Sequence, residues 1–585
     1  MMRGIVKVVA AASLLNGCGT ISKSDFPPAS LQPTLEPLPS VVRYAVKAHG
    51  LWLESALPYF EETQASKDRS VLRLRGIRQA AASEKSTIIA INNVLSGYFR
   101  SLESKGYRSK SAQPKLCIAL SGGGIRAAGF GLGVLQGLHE SGKLNSVDVV
   151  SAVSGGAYAL AWYAHNRIDG TNEDELLSDK YIQRTINPSL FSLPVAALGI
   201  VGSPLNFLTA GSAFANGIDS SALKNSYFGM LSGSFGASVL NRLGRARLRT
   251  AVENGQIPLP ILGISAYPLP GRLGEFGKPE QALTSYAKSV ALNDTYMEVT
   301  PYRFGIPGFG FHEGPPTPIA DDLWSYVQIS GAAYDRPDDL ESLGRLSGPI
   351  RLGGTMSFVV ARQYPSADSV TSTDQFYRHF FYATDGGFAE NLAVFPLVLR
   401  RCETIVIADS EYDPEWVMEG YRVLKARLAM EHGLELIVHG IDNLPSRRAG
   451  GIEVFTRADG LELLRTKNVC ARAEGASPCA ARDAETTTFY GSLTKIPLSM
   501  EEVDAERKTR IIYLKLGLRR DATASDTPDS VKSLMKTCMT TPDECHFPQD
   551  PTFHRTEPTK SQQYTWHQFL AYKDLARDMM RKIAW

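Results

Sequence analysis

The chain has 585 residues, 43% of them hydrophobic, which is enough for two or more ordinary globular domains. Lys and Arg (62) nearly balance Asp and Glu (60), and a formal net charge of +2 excludes any global attraction to nucleic acid or to an anionic membrane. No internal repeat recurs along the chain.

Residues Met1–Cys18 have the order of an export signal: Arg3 and Lys7 make a positive start, and Val8–Leu15 is a short apolar stretch. That stretch is too short to span a bilayer. Leu15-Asn-Gly-Cys18 resembles a bacterial lipobox, which implies a signal peptide over 1–17 and a lipidated Cys18. The alternative is an ordinary signal peptide with a nearby cysteine. Gly19 rather than Asp follows, and the resemblance to bacterial lipoproteins then implies the outer membrane, anchored stably through multiple acyl chains. Residues 18–40 are rich in Pro, Ser and Thr and read as a tether. Residues 41–112 read as a helical segment with a packing or spacing role.

The region 113–440 holds the chemistry. Lys115-Leu-Cys-Ile-Ala-Leu120 reads as a buried strand and Ile125 onward as a helix, with Ser121-Gly122-Gly123-Gly124 between them. Three glycines in such a turn can aim several backbone N–H groups at one point, an anion nest. The run fits a dinucleotide fingerprint poorly and lacks the Gly-Lys-Ser/Thr of a phosphate loop, which leaves an oxyanion hole as the better reading. Gly129, Gly133 and Gly137 recur at four-residue spacing, so one helix face can approach a neighbour closely, and Gly142 marks the helix stop.

Val147–Val153 is a second β-branched strand, and Ala157–His165 a helix-forming stretch. Ser154 stands between them, followed by Gly155 and Gly156, in the manner of a nucleophile elbow. Ala152 occupies the position where the usual Gly-x-Ser-x-Gly pattern has its first glycine. From Thr185 to Ile218 there is no charged residue, and Leu198 and Phe207 are among its many apolar side chains. This segment (185–218) reads either as a buried cap or as a mobile lid that admits acyl chains.

Phe380–Thr384 is strand-like and precedes Asp385-Gly-Gly387; Glu390–Leu399 then reads as a helix packed beneath the turn. His139, His165 and His379 lack a comparable setting, so Asp385 is the candidate to take the Ser154 proton directly. The structural alternative for Asp385 is a plain Asp-Gly turn.

These three segments, in this order, resemble the signatures of the patatin-like phospholipases and the related group-IV cytosolic phospholipases. Glu298-Val-Thr-Pro-Tyr302, Gln328-Ile-Ser-Gly-Ala-Ala333 and Glu403-Thr-Ile-Val-Ile-Ala-Asp409 also look familiar, and the resemblance spans roughly 113–415. It implies an α/β fold with a three-layer α/β/α core, and a serine lipid acyl hydrolase acting on phospholipids or lysophospholipids. Ser154 would be the nucleophile and Asp385 the base. Backbone N–H groups of the Gly122–Gly124 loop, Gly123 and Gly124 foremost, would bind the oxyanion together with Gly155. Arg126 matches the family's basic residue after the glycines, and would support the loop, contact a lipid phosphate, or be only a solvated charge. An acyltransferase using the same dyad and a non-catalytic lipid-binding envelope lipoprotein are the rival functions. No cofactor is implied, and no metal cluster or EF-hand loop is visible.

Leu434–His439 and Arg510–Leu518 read as further strands that extend the same sheet, so the C-terminal extension 441–585 need not fold alone. Cys117 and Cys402 lie in or beside buried-strand patterns and read as inert thiols. Cys470, Cys479, Cys538 and Cys545 cluster near the C-terminus, and Cys470–Cys479 with Cys538–Cys545 is the simplest disulfide pairing.

Overall fold

The computed structural model describes residues 96–97, 99–188, 231–236, 243–268, 295–307, 310–312, 322–331, 354–361, 376–411, 418–432, 434–439, 441, 452–456, 462–466, 488–495, 509–517, 528–540 and 564–585. The segments expected to be an export signal and a tether, Cys18, residues 189–218 of the uncharged segment, and Cys470, Cys479 and Cys545 lie outside that set. Cys538 falls on a helix, Asp529–Thr540, with its side chain also outside it.

Among the described residues, fourteen strands follow one another as β1 (Leu116–Leu120), β2 (Val147–Val153), β3 (Leu259–Pro268), β4 (Thr295–Val299), β5 (Phe304–Ile306), β6 (Gly310–His312), β7 (Gly354–Ala361), β8 (Phe376–Asp385), β9 (Thr404–Asp409), β10 (Leu434–His439), β11 (Ile452–Thr456), β12 (Glu462–Thr466), β13 (Thr488–Lys495) and β14 (Thr509–Lys515). Twelve of them make one mixed sheet flanked by helices, an α/β fold, while β11 and β12 pair as a separate hairpin. At its centre β14, β9, β1, β2 and β3 run parallel in that spatial order. Every residue of β1 and β2 is buried, as expected of parallel strands covered on both faces. Antiparallel strands extend the sheet on each side, with β13 and β10 beyond β14 and β4, β5 and β6 beyond β3.

The register around β3 positions the site. β2 pairs with β3 as far as Val153 opposite Gly263, and β4 holds the other edge over Leu262–Ala266. β8 therefore docks antiparallel on the edge that β2 vacates, and its last residue, Asp385, stands opposite Ile264. The end of β2 and the end of β8 thus meet head to head on adjacent residues of one strand.

Five helices matter here: α1 (Gly124–Glu140), α2 (Ser154–Ile168), α3 (Leu323–Ser330), α4 (Phe395–Leu399) and α5 (Trp566–Arg581). α1 ends where expected, with Gly142 at φ +68° and Lys143 N–H donating to Leu138 O. Its glycine face packs on α5. A Cβ on Gly133 would overlap the Lys573 carbonyl, one on Gly137 would lie 2.5 Å from Met580 Cβ, and one on Gly129 would press on the Phe569 ring at 3.2 Å. Two helices so close leave no room for side chains between them, and Lys573, buried beside the contact, donates to Gln136 Oε1 (2.8 Å) and Asp179 Oδ1 (2.7 Å). α5 starts with a capping box, Thr565 with Gln568, which fixes its first turn.

Two expectations are corrected. Glu390–Leu399 is not one helix: a single turn, Gly387–Glu390, is followed by a break in which Ala393 takes φ +60°, and α4 begins only at Phe395. Pro396 can sit in the first turn of a helix but has no N–H for Leu392 O and would crowd that carbonyl in a continuous one, and the Glu390 carboxylate accepts from the N–H groups of Leu392, Val394 and Phe395 in place of a continuing helix. Cys117 and Cys402 are not thiols but a disulfide, with Cα atoms 6.1 Å apart and a sequence separation of 285. Hydrophobic strand patterning hides this bond, because a half-cystine in a core is as apolar as a buried thiol. The chain leaves α4 and turns into β9 beside β1, and that turn brings Cys402 against Cys117. Among the described residues no helix is long and apolar enough to cross a membrane.

Candidate active site

Ser154 is the first residue of α2 and lies at φ +48°, a left-handed conformation that non-glycine residues avoid. Val153 before it is still extended, so the chain reverses within one residue and presents Oγ at the end of the sheet. Ala152 presents no conflict. It sits inside β2, paired with Leu120 and Leu262, and the positive φ falls on the serine itself. The glycines that the turn needs come after it. A Cβ on Gly156 would overlap the Leu120 carbonyl, and one on Gly155 would overlap the carbonyl of Gly124 and lie 2.6 Å from its nitrogen. The N-termini of α1 and α2 therefore abut, backbone against backbone.

The Ser121–Gly124 turn takes positive φ at Gly123 (+138°) and Gly124 (+62°). Gly124 and Gly155 each lie in the first turn of a helix, where N–H groups have no acceptor within the helix. Both helix dipoles add positive potential at this point. Gly122 is different: its N–H donates to Asn391 O at 2.9 Å, which removes it from the expected oxyanion donors. It serves instead to tie the glycine turn to the segment after Asp385. Ser121 ties the same turn to the end of β9, accepting from Ser410 N–H at 2.7 Å through its hydroxyl, and its carbonyl accepts from Gly156 N–H at 3.1 Å.

Ser154 Oγ donates to Asp385 Oδ2 at 2.9 Å, across 231 residues of sequence. Gly387 N–H donates to the other carboxylate oxygen at 2.7 Å and fixes the carboxyl plane. Ser154 is 7% exposed and Asp385 3%. Burial disfavours the charged carboxylate and pushes the Asp385 pKa up to about 7, against the opposing pull of the Gly387 N–H and the Ser154 hydroxyl. A base must be ionised to accept a proton, so activity is expected to rise with pH through an apparent pKa near 7. A pH profile of kcat/KM flat from pH 5 to 8 would contradict that assignment.

Arg126 is 1% exposed, which eliminates the solvated-charge reading; its guanidinium lies 3.4 Å from where a Gly123 Cβ would be, beneath the glycine turn. His139 pairs with Asp174 at 3.0 Å, and His165 lies between Asp169 (3.3 Å) and the Trp324 indole N–H (3.4 Å), so neither partners the serine. The His379 side chain lies outside the described residues. Among the described residues no group of His, Cys, Asp or Glu is arranged to hold a metal ion.

Sequence patterns assigned no role to Ser330, the last residue of α3. Its hydroxyl donates to Gly263 O at 2.6 Å and accepts from Ser154 N–H at 2.9 Å, and its carbonyl accepts from Gly386 N–H at 3.1 Å. Ser330 lies within Gln328–Ala333, one of the stretches that carry the resemblance, but a serine before a glycine at a helix end gives no sign of what it bonds.

Residues 118–243 match the family model described as Patatin-like phospholipase. That segment of the chain is similar to the patatin-like phospholipases. The matched segment contains the glycine turn, α1, β2 and Ser154, while Asp385 and Ser330 lie beyond it. Among solved structures, the chain is similar to human GIVD cytosolic phospholipase A2, at 14% identity and a TM-score of 0.44 over 85% of this chain and 63% of that one. It is also similar to the same human enzyme in complex with methyl gamma-linolenyl fluorophosphonate, at 14% identity and a TM-score of 0.39 over 85% of this chain and 62% of that one. The chain spans less than two thirds of the length of either. No curated protein matches it.

Proposed function

We propose that this patatin-like chain is a serine lipid acyl hydrolase that cleaves fatty-acyl esters of phospholipids or lysophospholipids. The observation that carries the proposal is the Ser154 Oγ–Asp385 Oδ2 hydrogen bond of 2.9 Å beside two abutting helix N-termini. In this scheme Ser154 Oγ attacks the ester carbonyl while its proton passes to Asp385. The negative oxygen of the tetrahedral intermediate is held by N–H groups of Gly123, Gly124 and Gly155. Collapse breaks the bond to the glycerol oxygen, which leaves with the proton from Asp385. Water then attacks acyl-Ser154, giving its proton to Asp385, and the fatty acid departs as Ser154 regains a proton.

The export signal and Cys18 support a lipid-anchored position in the bacterial cell envelope, close to such substrates. The test is fatty-acid release from mixed phospholipid and lysophospholipid micelles, with the lipid products resolved by mass spectrometry. Free fatty acid with the matching lysolipid or glycerophosphodiester supports hydrolysis. An acylated acceptor lipid without free fatty acid would make the chain a transferase, and no turnover would favour a binding role.

A further inference from the structure

We propose that Ser330 is a positioning residue for this reaction, holding the nucleophile's own amide so that Ser154 stays aligned with Asp385. The inference rests on the acyl-Ser154 reading above. A serine hydroxyl has one proton and two lone pairs. Here the proton goes to Gly263 O at 2.6 Å, and a lone pair takes Ser154 N–H at 2.9 Å. Both partners are buried, and so is Ser330, so water does not replace either bond.

The location explains why this bond matters. Gly263 pairs with Val153 at the end of β2, and its neighbour Ile264 pairs with Asp385 at the end of β8. Ser330 therefore grips β3 at the point where β2 hands its edge to β8, and its carbonyl also receives the N–H of Gly386, the residue after the base. One residue thus references the nucleophile and the base to the same point of the sheet. Ser154 needs such a restraint, because its left-handed φ of +48° is unfavourable and its N–H, at the first position of α2, has no acceptor within the helix. With the Ser154 N–H held by Ser330, the next N–H along, that of Gly155, is left for the oxyanion.

Ser330→Ala removes both side-chain bonds and leaves the Ser154 N–H buried without an acceptor. The test uses the full chain, a soluble short-chain ester, and a fluorophosphonate probe that labels an activated serine. For Ser330→Ala, kcat and the labelling rate are expected to fall together by about 10- to 100-fold while KM changes less than about 3-fold. Labelling should still reach the wild-type end point, and Ser330→Thr, which keeps the hydroxyl, should restore most of the rate. A lower end point with an unchanged rate per labelled site would mean that Ser330 only supports folding, and would overturn the proposal. So would a Ser330→Ala enzyme as fast as wild type. Wild-type labelling that survives Ser154→Ala would sink the acyl-serine function itself, and this inference with it.

Discussion

Asp385→Asn is expected to lower ester hydrolysis by about 10⁴-fold or more, and Ser154→Ala by about 10⁶-fold. Ser154→Ala removes the atom that would carry the acyl group. Asparagine keeps the shape of Asp385 but cannot accept the proton that Ser154 Oγ donates across 2.9 Å. His139 and His165 partner other groups, so neither takes over as base. The backbone donors of the glycine turn survive both substitutions and leave a residual rate above that in water.

Stability should move the opposite way. The unfolded chain releases the Asp385 proton near pH 3.8, whereas burial holds it in the folded chain up to about 7. Between those values the folded protein binds a proton that the unfolded one has lost, so this group costs stability as pH rises through that window. Asp385→Asn should therefore raise stability at pH 8, by something on the order of 2–4 kcal/mol. An inactive variant that is also less stable would indicate loss of the fold rather than of the base. Fatty-acid release and urea unfolding on the same samples separate the two.

The second large effect lies away from the chemistry. Glu103, Glu298, Arg303 and Arg400 form a cluster of four charges whose side chains are fully buried. Arg400 donates to both carboxylates, at 2.6 Å and 2.8 Å to Glu103 and at 3.0 Å twice to Glu298, and Arg303 reaches the same pair at 3.1 Å and 3.2 Å. The Phe99 ring lies against both guanidiniums, 4.2 Å from Arg303 and 4.4 Å from Arg400. The cluster joins the segment before β1 to β4 and to the end of α4.

Arg400→Met leaves two buried carboxylates with one guanidinium, and an uncompensated buried charge is far more costly than a missing pair. The expected loss is about 3–5 kcal/mol, read as a shifted urea midpoint. Adding Glu103→Gln rebalances the charge and should recover part of the loss, a coupling that a double-mutant cycle measures directly. The rate per fluorophosphonate-titrated site should stay at the wild-type value, since none of the four touches Ser154 or Asp385. A loss below about 1 kcal/mol would mean that water reaches the cluster and screens it.

How much of this was legible beforehand depends on the range of the interaction. The glycine turn, the small residues after Ser154 and the spacing of Gly129, Gly133 and Gly137 were readable because they encode local backbone conformation or close approach, which only glycine permits. Even there the reading was incomplete. Glycine spacing announced a close neighbour for α1, but nothing local named α5, which arrives from the far end of the chain. The Gly122 N–H looked like its neighbours until Asn391 took it.

By itself, then, the sequence determined the two strand-to-helix turns, the residue types at Ser154 and Asp385, and the α/β alternation around them. The tertiary structure decided the rest: that β8 takes the edge of β3 that β2 leaves, that Cys117 meets Cys402, that Ser330 bonds the nucleophile's amide, and that two glutamates and two arginines share one dry pocket. Apart from Arg303 with Glu298, five positions apart, those contacts join residues more than a hundred positions apart. They depend on sheet register and on the order in which strands are laid side by side, which no run of neighbouring residues encodes.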